Sequence, residues 1–451
     1  MDIKDFRDKL FERAKKEGFL DYEIYYVNGN SFRVTVYEGE IDQYSVNTDR
    51  GLSFRGLYGD KMGYSYTEIL DDEALEMLIK NAKENAMAIE DEDIEIIYEG
   101  KDIYPNVNSY NEELEKVDAS EKINLALRLE KETKAKSKKI KTVDDCIVAS
   151  GRGERYISNS KGLDLRHVSN IIYAMVSAVV EEKEKVNTAY SFKVTNDIEE
   201  IDTEKLAEKA VTEALSYLGA KSLSSGKYKV IIRNDVMADI LGTFWGIFSA
   251  YNVQKGMSLL KDKSGENIAS DVITLIDDPL LEKGLASVPF DDEGVAAYTK
   301  DVIKNGVLMT YLYNLKTAKK DGVKSTGNAA KASYASSMGT SPSNFYIKPG
   351  NNDLQGLFKN MGEGVFITEV QGLHSGANAV SGDFSLGAKG FLIKNGAVER
   401  PIEQITIAGN FYTLLHDVVE LGSDLEFGIP SGNSCFGSPA VLIKELSIAG
   451  K

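Results

Sequence analysis

Apolar residues recur at helical spacing near the start of the chain. Ile3, Phe6, Leu10, Phe11 and Ala14 share one face, which predicts an amphipathic helix over residues 3–17. From Asp21 to Thr67 the period shortens. Phe32, Val34 and Val36 alternate with polar residues, and Asn28-Gly29 and Tyr58-Gly59-Asp60 read as turns. A meander of antiparallel strands is the expected product. Asp71, Asp72 and Glu73 then open a helix through Ala86, with acids at the end where the helix dipole favours them. An acidic stretch at 90–93 leads into an irregular segment around Tyr104-Pro105.

A second clear helix is predicted over 119–137, with Ser120 as its cap. Strands follow at 147–150, 154–159, 163–180 and 188–194. The 163–180 run is dense in β-branched residues and reads as one long strand. A third amphipathic helix covers 203–218. After Lys227 come a strand from Tyr228 and a helix to about Tyr251. The remainder is strand-like, at 273–276, 285–289, 301–313, 364–370, 388–394 and 405–407. Asn305-Gly306 and Asn395-Gly396 are hairpin turns. The pattern implies an α+β fold of mostly antiparallel sheets with a few flanking helices and a β-rich carboxy-terminal domain.

Composition sharpens the division. Of 451 residues, 53 are Lys or Arg and 70 are Asp or Glu, a net of −17. Residues 1–225 hold 32 basic and 46 acidic side chains, residues 226–451 hold 21 and 24, and glycine rises from 12 to 27. This step marks a boundary near 225–227. The expected segments are 1–105, a central 106–225 packed with it, and 226–451. The acidity argues against phosphate backbones and anionic membranes as partners. Two cysteines, Cys146 and Cys435, exclude a disulfide framework. The charged amphipathic start lacks the apolar core of a signal peptide, and no run of about 18 apolar residues spans a membrane. A cytoplasmic location is expected.

Candidate chemistry is sparse. The three histidines, His167, His374 and His416, lie far apart, and no His is followed by Glu, so no H-E-x-x-H pattern exists. No G-x-S-x-G elbow or phosphate loop occurs. Cys435, in SGNSCFGSP, reads as buried and inert. Asp291, Asp292 and Glu293, in VPFDDEGVAAY, are either a solvated turn or carboxylates placed to hold a metal or act as a base. The polar, glycine-rich stretch 372–385 suits close backbone approach, and free amides there would accept an extended peptide as an added strand.

Four strings in the carboxy-terminal half resemble the TldD/PmbA family. They are FDDEGVAAYTKDVIKNGVLMTYLYN, GLHSGANAVSGDFSLGAKGFLIKNGAVERPIEQITIAGN, GSDLEF and GSPAVLIKELSIAG. The amino-terminal RGLSFRGLYGDKMGYSYTEILDDEALEMLIKNA fits as well, so the resemblance spans nearly the whole chain. Members are labelled modulators of DNA gyrase and classed with metallopeptidases. TldD-type members carry H-E-x-x-x-H on the helix after the first strand of the carboxy-terminal domain. Here that segment, 236–256, contains no histidine, and Met237, Ile240, Leu241 and Phe244 read as core. The chain therefore resembles the metal-free PmbA branch, also called TldE.

The resemblance implies a subunit with no metal or catalytic residue of its own. Its partner would be a TldD-type chain holding zinc, and its substrate an unfolded or extended peptide, with a homodimer possible alone. On that reading His374, Ser375, Asn378, Asp383 and Ser385 face peptide or partner, and Asp291, Asp292 and Glu293 are next in line. The alternatives are an autonomous hydrolase with an unrecognised site, or a regulatory protein that binds gyrase-related partners.

Overall fold

The computed structural model describes residues 1–90 and 95–451, so most of the acidic stretch 90–93 lies outside the described residues. Its first half is one six-stranded antiparallel sheet. Strands β1 (Tyr22–Tyr37), β2 (Glu40–Tyr58), β3 (Lys61–Thr67), β4 (Ile140–Asn159), β5 (Asp164–Glu182) and β6 (Lys185–Thr195) are ordered β3-β2-β1-β4-β5-β6. Segments 1–105 and 106–225 thus share a sheet, joined where β1 pairs with β4 from Glu23↔Asn159 to Thr35↔Ile147. Asn28 and Gly29 are not a turn. They sit mid-strand in β1, paired on both sides. The hairpin turns instead at Glu38-Gly39, where both residues have positive φ, the geometry that matches strand twist.

Helices α1 (Ile3–Lys16) and α2 (Asp72–Ala88) bury Phe6, Leu10, Leu75 and Leu78 against Ile24, Leu52 and Phe54 near one end of the sheet. A short α3 (Glu112–Lys116) precedes α4 (Ala119–Ala135). Then α4 and α5 (Thr203–Ser216) cover Phe32, Val34, Val148, Ile172 and Ala174. The cap of α4 is Asp118 rather than Ser120. The Asp118 carboxylate accepts from the Glu121 amide at 2.8 Å, and Ser120 donates to that carboxylate.

The second half is built on β7 (Gly226–Ile232). It pairs in parallel with Gly364–Gln371, which continues to Asp383–Lys394 and Ala397–Asn410. Val441–Ala449 pairs with both β7 and Ala397–Asn410, so five strands close on themselves. The turns at Asn305-Gly306 and Asn395-Gly396 have the predicted left-handed backbone. A second, mixed sheet contains Leu275–Asp277, Lys300–Lys304, Asn344–Ile347 and Cys435–Ser438. Residues 285–289 form turns rather than a strand. The helix after β7 is also shorter than its pattern. As α6 it covers Asn234–Phe244, then breaks into a 3₁₀ turn at Trp245–Phe248 and a last helical turn at Ala250–Gln254, because Ser249 is extended.

Met237, Ile240, Leu241 and Phe244 are fully buried, as their spacing predicts, and Phe244 stacks on Phe411 at 4.7 Å. Among the described residues no helix is long and apolar enough to cross a membrane. Phe244→Ala should cost about 3–5 kcal/mol, since stacked neighbours cannot collapse into the space. Urea unfolding followed through Trp245, the only tryptophan, measures it.

Candidate functional site: a cleft roofed by residues 331–340

The two halves meet through a buried charge network. The turn after Phe290 aims three acids at the amino-terminal sheet. Asp292 is fully buried, and Asp291 and Glu293 nearly so; none of them belongs to a solvated turn. Arg155, from β4, ion-pairs with Asp292, whose other oxygen accepts from the Lys331 amide at 2.7 Å and from Asn433 at 3.2 Å. Arg55, from β2, is shared. It binds Glu23 at 2.7 Å and approaches Glu293 at 3.6 Å. Among the described residues Asp291 has no cation in contact and accepts only from backbone amides, those of Glu293, Val295 and Ala329. Further contacts fasten the turn: Tyr104 donates to the Gly294 carbonyl, and the Asp102 carboxylate accepts from the Ala296 amide.

Burial sets the ionisation here. It pushes the Glu293 carboxyl up to about 7, because Arg55 and the Leu315 amide offset only part of the lost hydration. Asp291 is likewise raised, by burial first and then by Glu293. Lys331 is lowered to about 8 by burial and by Arg55; its ammonium donates to Ser53 and lies over the Tyr25 ring.

Around this network the halves leave a cleft. Cavities of about 700, 830 and 490 Å³ share parts of the segment 331–340. Ser337 lines all three, so the segment is a wall common to them. The 700 Å³ part lies along α6, whose Asp239, Gly242 and Thr243 form one wall and whose opposite wall is the glycine- and serine-rich 428–434. Gly242 permits this packing. A Cβ there would lie 3.0 Å from the Phe436 ring. The 490 Å³ part reaches Trp245, Tyr64 and Glu293.

The remaining predicted residues form a separate, exposed group. His374 and Ser375 lie on a short helical turn, Leu373–Gly376, at the cleft rim beside Leu373. Asn378, Asp383 and Ser385 are also exposed. Asp383 is held by Asn410 and Ser381, which lower its proton affinity. The stretch 372–385 does not offer a free strand edge. Ala377 bridges to Phe384, the Asn378 amide donates to the Asp383 carbonyl, and 383–386 pair with 407–410. Its own turn has taken the amides that strand addition requires. Cys435 is buried. Burial alone pushes its thiol up to about 12, which suits an inert residue.

The residues present do not fit a catalytic metal. Toward the cleft α6 offers a single carboxylate, Asp239, and no imidazole. Among the described residues no group of three or more His, Cys, Asp or Glu is arranged to hold an ion. Sequence spacing gave no sign of Glu23, Arg55, Arg155 or Lys331, because pairs 32 to 278 residues apart leave no periodic signal. The one hint was a charge inside an apolar strand, as in Leu52-Ser53-Phe54-Arg55.

Family models settle the relationship. The PmbA/TldA metallopeptidase domain 1 matches residues 22–86, the central domain 112–218 and the C-terminal domain 225–450. The chain belongs to the PmbA/TldD family. It is 28% identical over 423 residues to the metalloprotease PmbA of Escherichia coli O157:H7, covering 92% of this chain and 88% of that protein. A crystal structure of a proposed modulator of a DNA gyrase from Thermotoga maritima MSB8 superimposes with a TM-score of 0.92 at 33% identity, covering 99% of this chain and all of that one. TldE from Thermococcus kodakarensis shares the fold, with a TM-score of 0.90 at 24% identity over 99% of this chain and 100% of that one.

Two outcomes follow from the charge network. Asp292→Ala strands the Arg155 guanidinium at the interface and should cost about 3–5 kcal/mol, read from chemical unfolding. Glu293 binds its proton more tightly folded than unfolded. Its protonation therefore favours folding at acid pH, and that contribution is lost as pH rises from about 4.5 to about 7. Glu293→Gln should flatten this part of the stability–pH profile; an unchanged profile would show that another group is responsible.

Proposed function

We propose that this chain is a metal-free, TldE-like subunit that completes a TldD-type zinc peptidase acting on unfolded or extended peptides. The observation that carries the reading is α6. Where the resemblance places paired histidines and a glutamate, this helix buries Met237, Ile240, Leu241 and Phe244 and lines the cleft with Ala238, Asp239, Gly242 and Thr243. A helix face with one carboxylate and no imidazole lacks the ligand set that positions zinc and activates a water.

The cleft itself is retained. Its walls carry glycines and serines, and its parts of about 700 and 830 Å³ are the space in which we place the peptide. His374 and Ser375 follow Leu373, which lines the cleft, and with the exposed Asn378, Asp383 and Ser385 they are proposed as side-chain contacts for partner or peptide. His374→Ala combined with Asp383→Ala should weaken assembly with the TldD-type chain or slow cleavage, and full activity of the double variant would remove these residues from the site.

The deciding experiment co-expresses the chain with a TldD-type protein and follows degradation of an unstructured peptide with and without a chelator. Chelator-sensitive cleavage should need both chains, and the isolated chain should purify with far less than one zinc. Stoichiometric zinc together with cleavage by the isolated chain would replace this reading with an autonomous peptidase.

A further inference from the structure

Lys331 brings a buried amine to the cleft. The residue is 8% exposed and lines both the 700 and the 830 Å³ parts. Its Nζ lies 2.9 Å from the Ser53 hydroxyl, and the Tyr25 ring stands 5.3 Å away. The Asp292 carboxylate does not neutralise it. That group accepts from the Lys331 backbone amide and is ion-paired by Arg155.

The strand explains where Ser53 points. Its neighbours Leu52 and Phe54 enter the core beneath α1 and α2. Alternation along β2 therefore turns Ser53 and Arg55 to the other face, toward the carboxy-terminal half. Ser53 is 7% exposed and lines the 830 Å³ part with Lys331. A hydroxyl within hydrogen-bond reach of a buried amine, both open to one cavity, is the arrangement by which a lysine activates a serine.

The surrounding charges favour the neutral amine that a base must be. Burial and then Arg55 bring the Lys331 proton affinity down to about 8, against the pull of Asp292, Glu23 and Glu95. Arg55 has a second use. Its Nη2 is buried and lacks a well-aligned acceptor, although it lies 2.7 Å from Glu23. A donor on the same face as Ser53 is suited to stabilise negative charge developing near that serine.

We propose that Ser53 and Lys331 are a nucleophile and base that hydrolyse an acyl ester or amide held in the 830 Å³ part of the cleft. Tyr66, Met77, Ile89 and Tyr334 line the same space and offer contacts for an apolar acyl chain. Ser53 Oγ bonds to the carbonyl carbon as its proton passes to neutral Lys331. The bond to the leaving oxygen or nitrogen breaks, and the Lys331 ammonium returns the proton to it. Water then attacks the acyl-serine, giving its proton to Lys331. That proton goes back to Ser53 Oγ as the carboxylic acid leaves.

This activity does not rest on the proposed function. It belongs to the isolated chain and is measured in excess chelator, where a zinc peptidase is silent. The full chain should hydrolyse p-nitrophenyl butyrate, with a rate that climbs about tenfold per pH unit and levels above about pH 8. Ser53→Ala and Lys331→Arg should each lose at least about a hundredfold. Lys331→Arg keeps a cation beside Tyr25 but cannot act as a base, so an unchanged Tm with lost activity separates catalysis from folding. An unsubstituted chain no faster than Ser53→Ala overturns the proposal. A fluorophosphonate probe on the unsubstituted chain gives a check that no variant can confuse. Peptide mapping should find the label on Ser53, and a label elsewhere, or none, overturns the dyad.

Discussion

The structure depends on the cost of burying charge. Asp291, Asp292 and Glu293 sit in a turn that the carboxy-terminal domain drives into the amino-terminal sheet, where water cannot solvate them. Three buried carboxylates are tolerated only because the opposing sheet supplies Arg55 and Arg155 and the backbone supplies amides. Apolar packing would let the halves slide. Ion pairs with fixed geometry let them meet in one orientation, and that orientation leaves the cleft under residues 331–340.

The same segment links the network to the cleft. The Lys331 amide binds Asp292 while its ammonium reaches Ser53 across the interface. A few residues later Ser337, Gly339 and Thr340 form the roof. One short segment thus touches both the buried turn and the cleft.

The family relationship and the α6 geometry also fit together. The family's C-terminal domain covers this helix and the closed sheet on which it packs. In this chain the packing face is complete, with Phe244 stacked on Phe411, so the helix contributes stability and a cleft wall without ligands.

Local periodicity determined much of this protein. The alternation in β1, the β-branched run of β5, the acids that open α2 and the two Asn-Gly turns each report physics acting within a few residues. The absent histidine pair was equally plain, because helical spacing makes such a pair visible. Tertiary structure decided the rest. Asn28-Gly29 looked like a turn, but pairing on both sides held it extended. The stretch 372–385 looked open to strand addition, but its own bridge uses its amides. The string FDDEG reads as a solvated turn or as carboxylates for a metal or a base, and it is instead buried against cations. Only the approach of Arg55 and Arg155, carried by strands more than a hundred residues away in sequence, settled this, because the energy of a charge depends on what surrounds it in space.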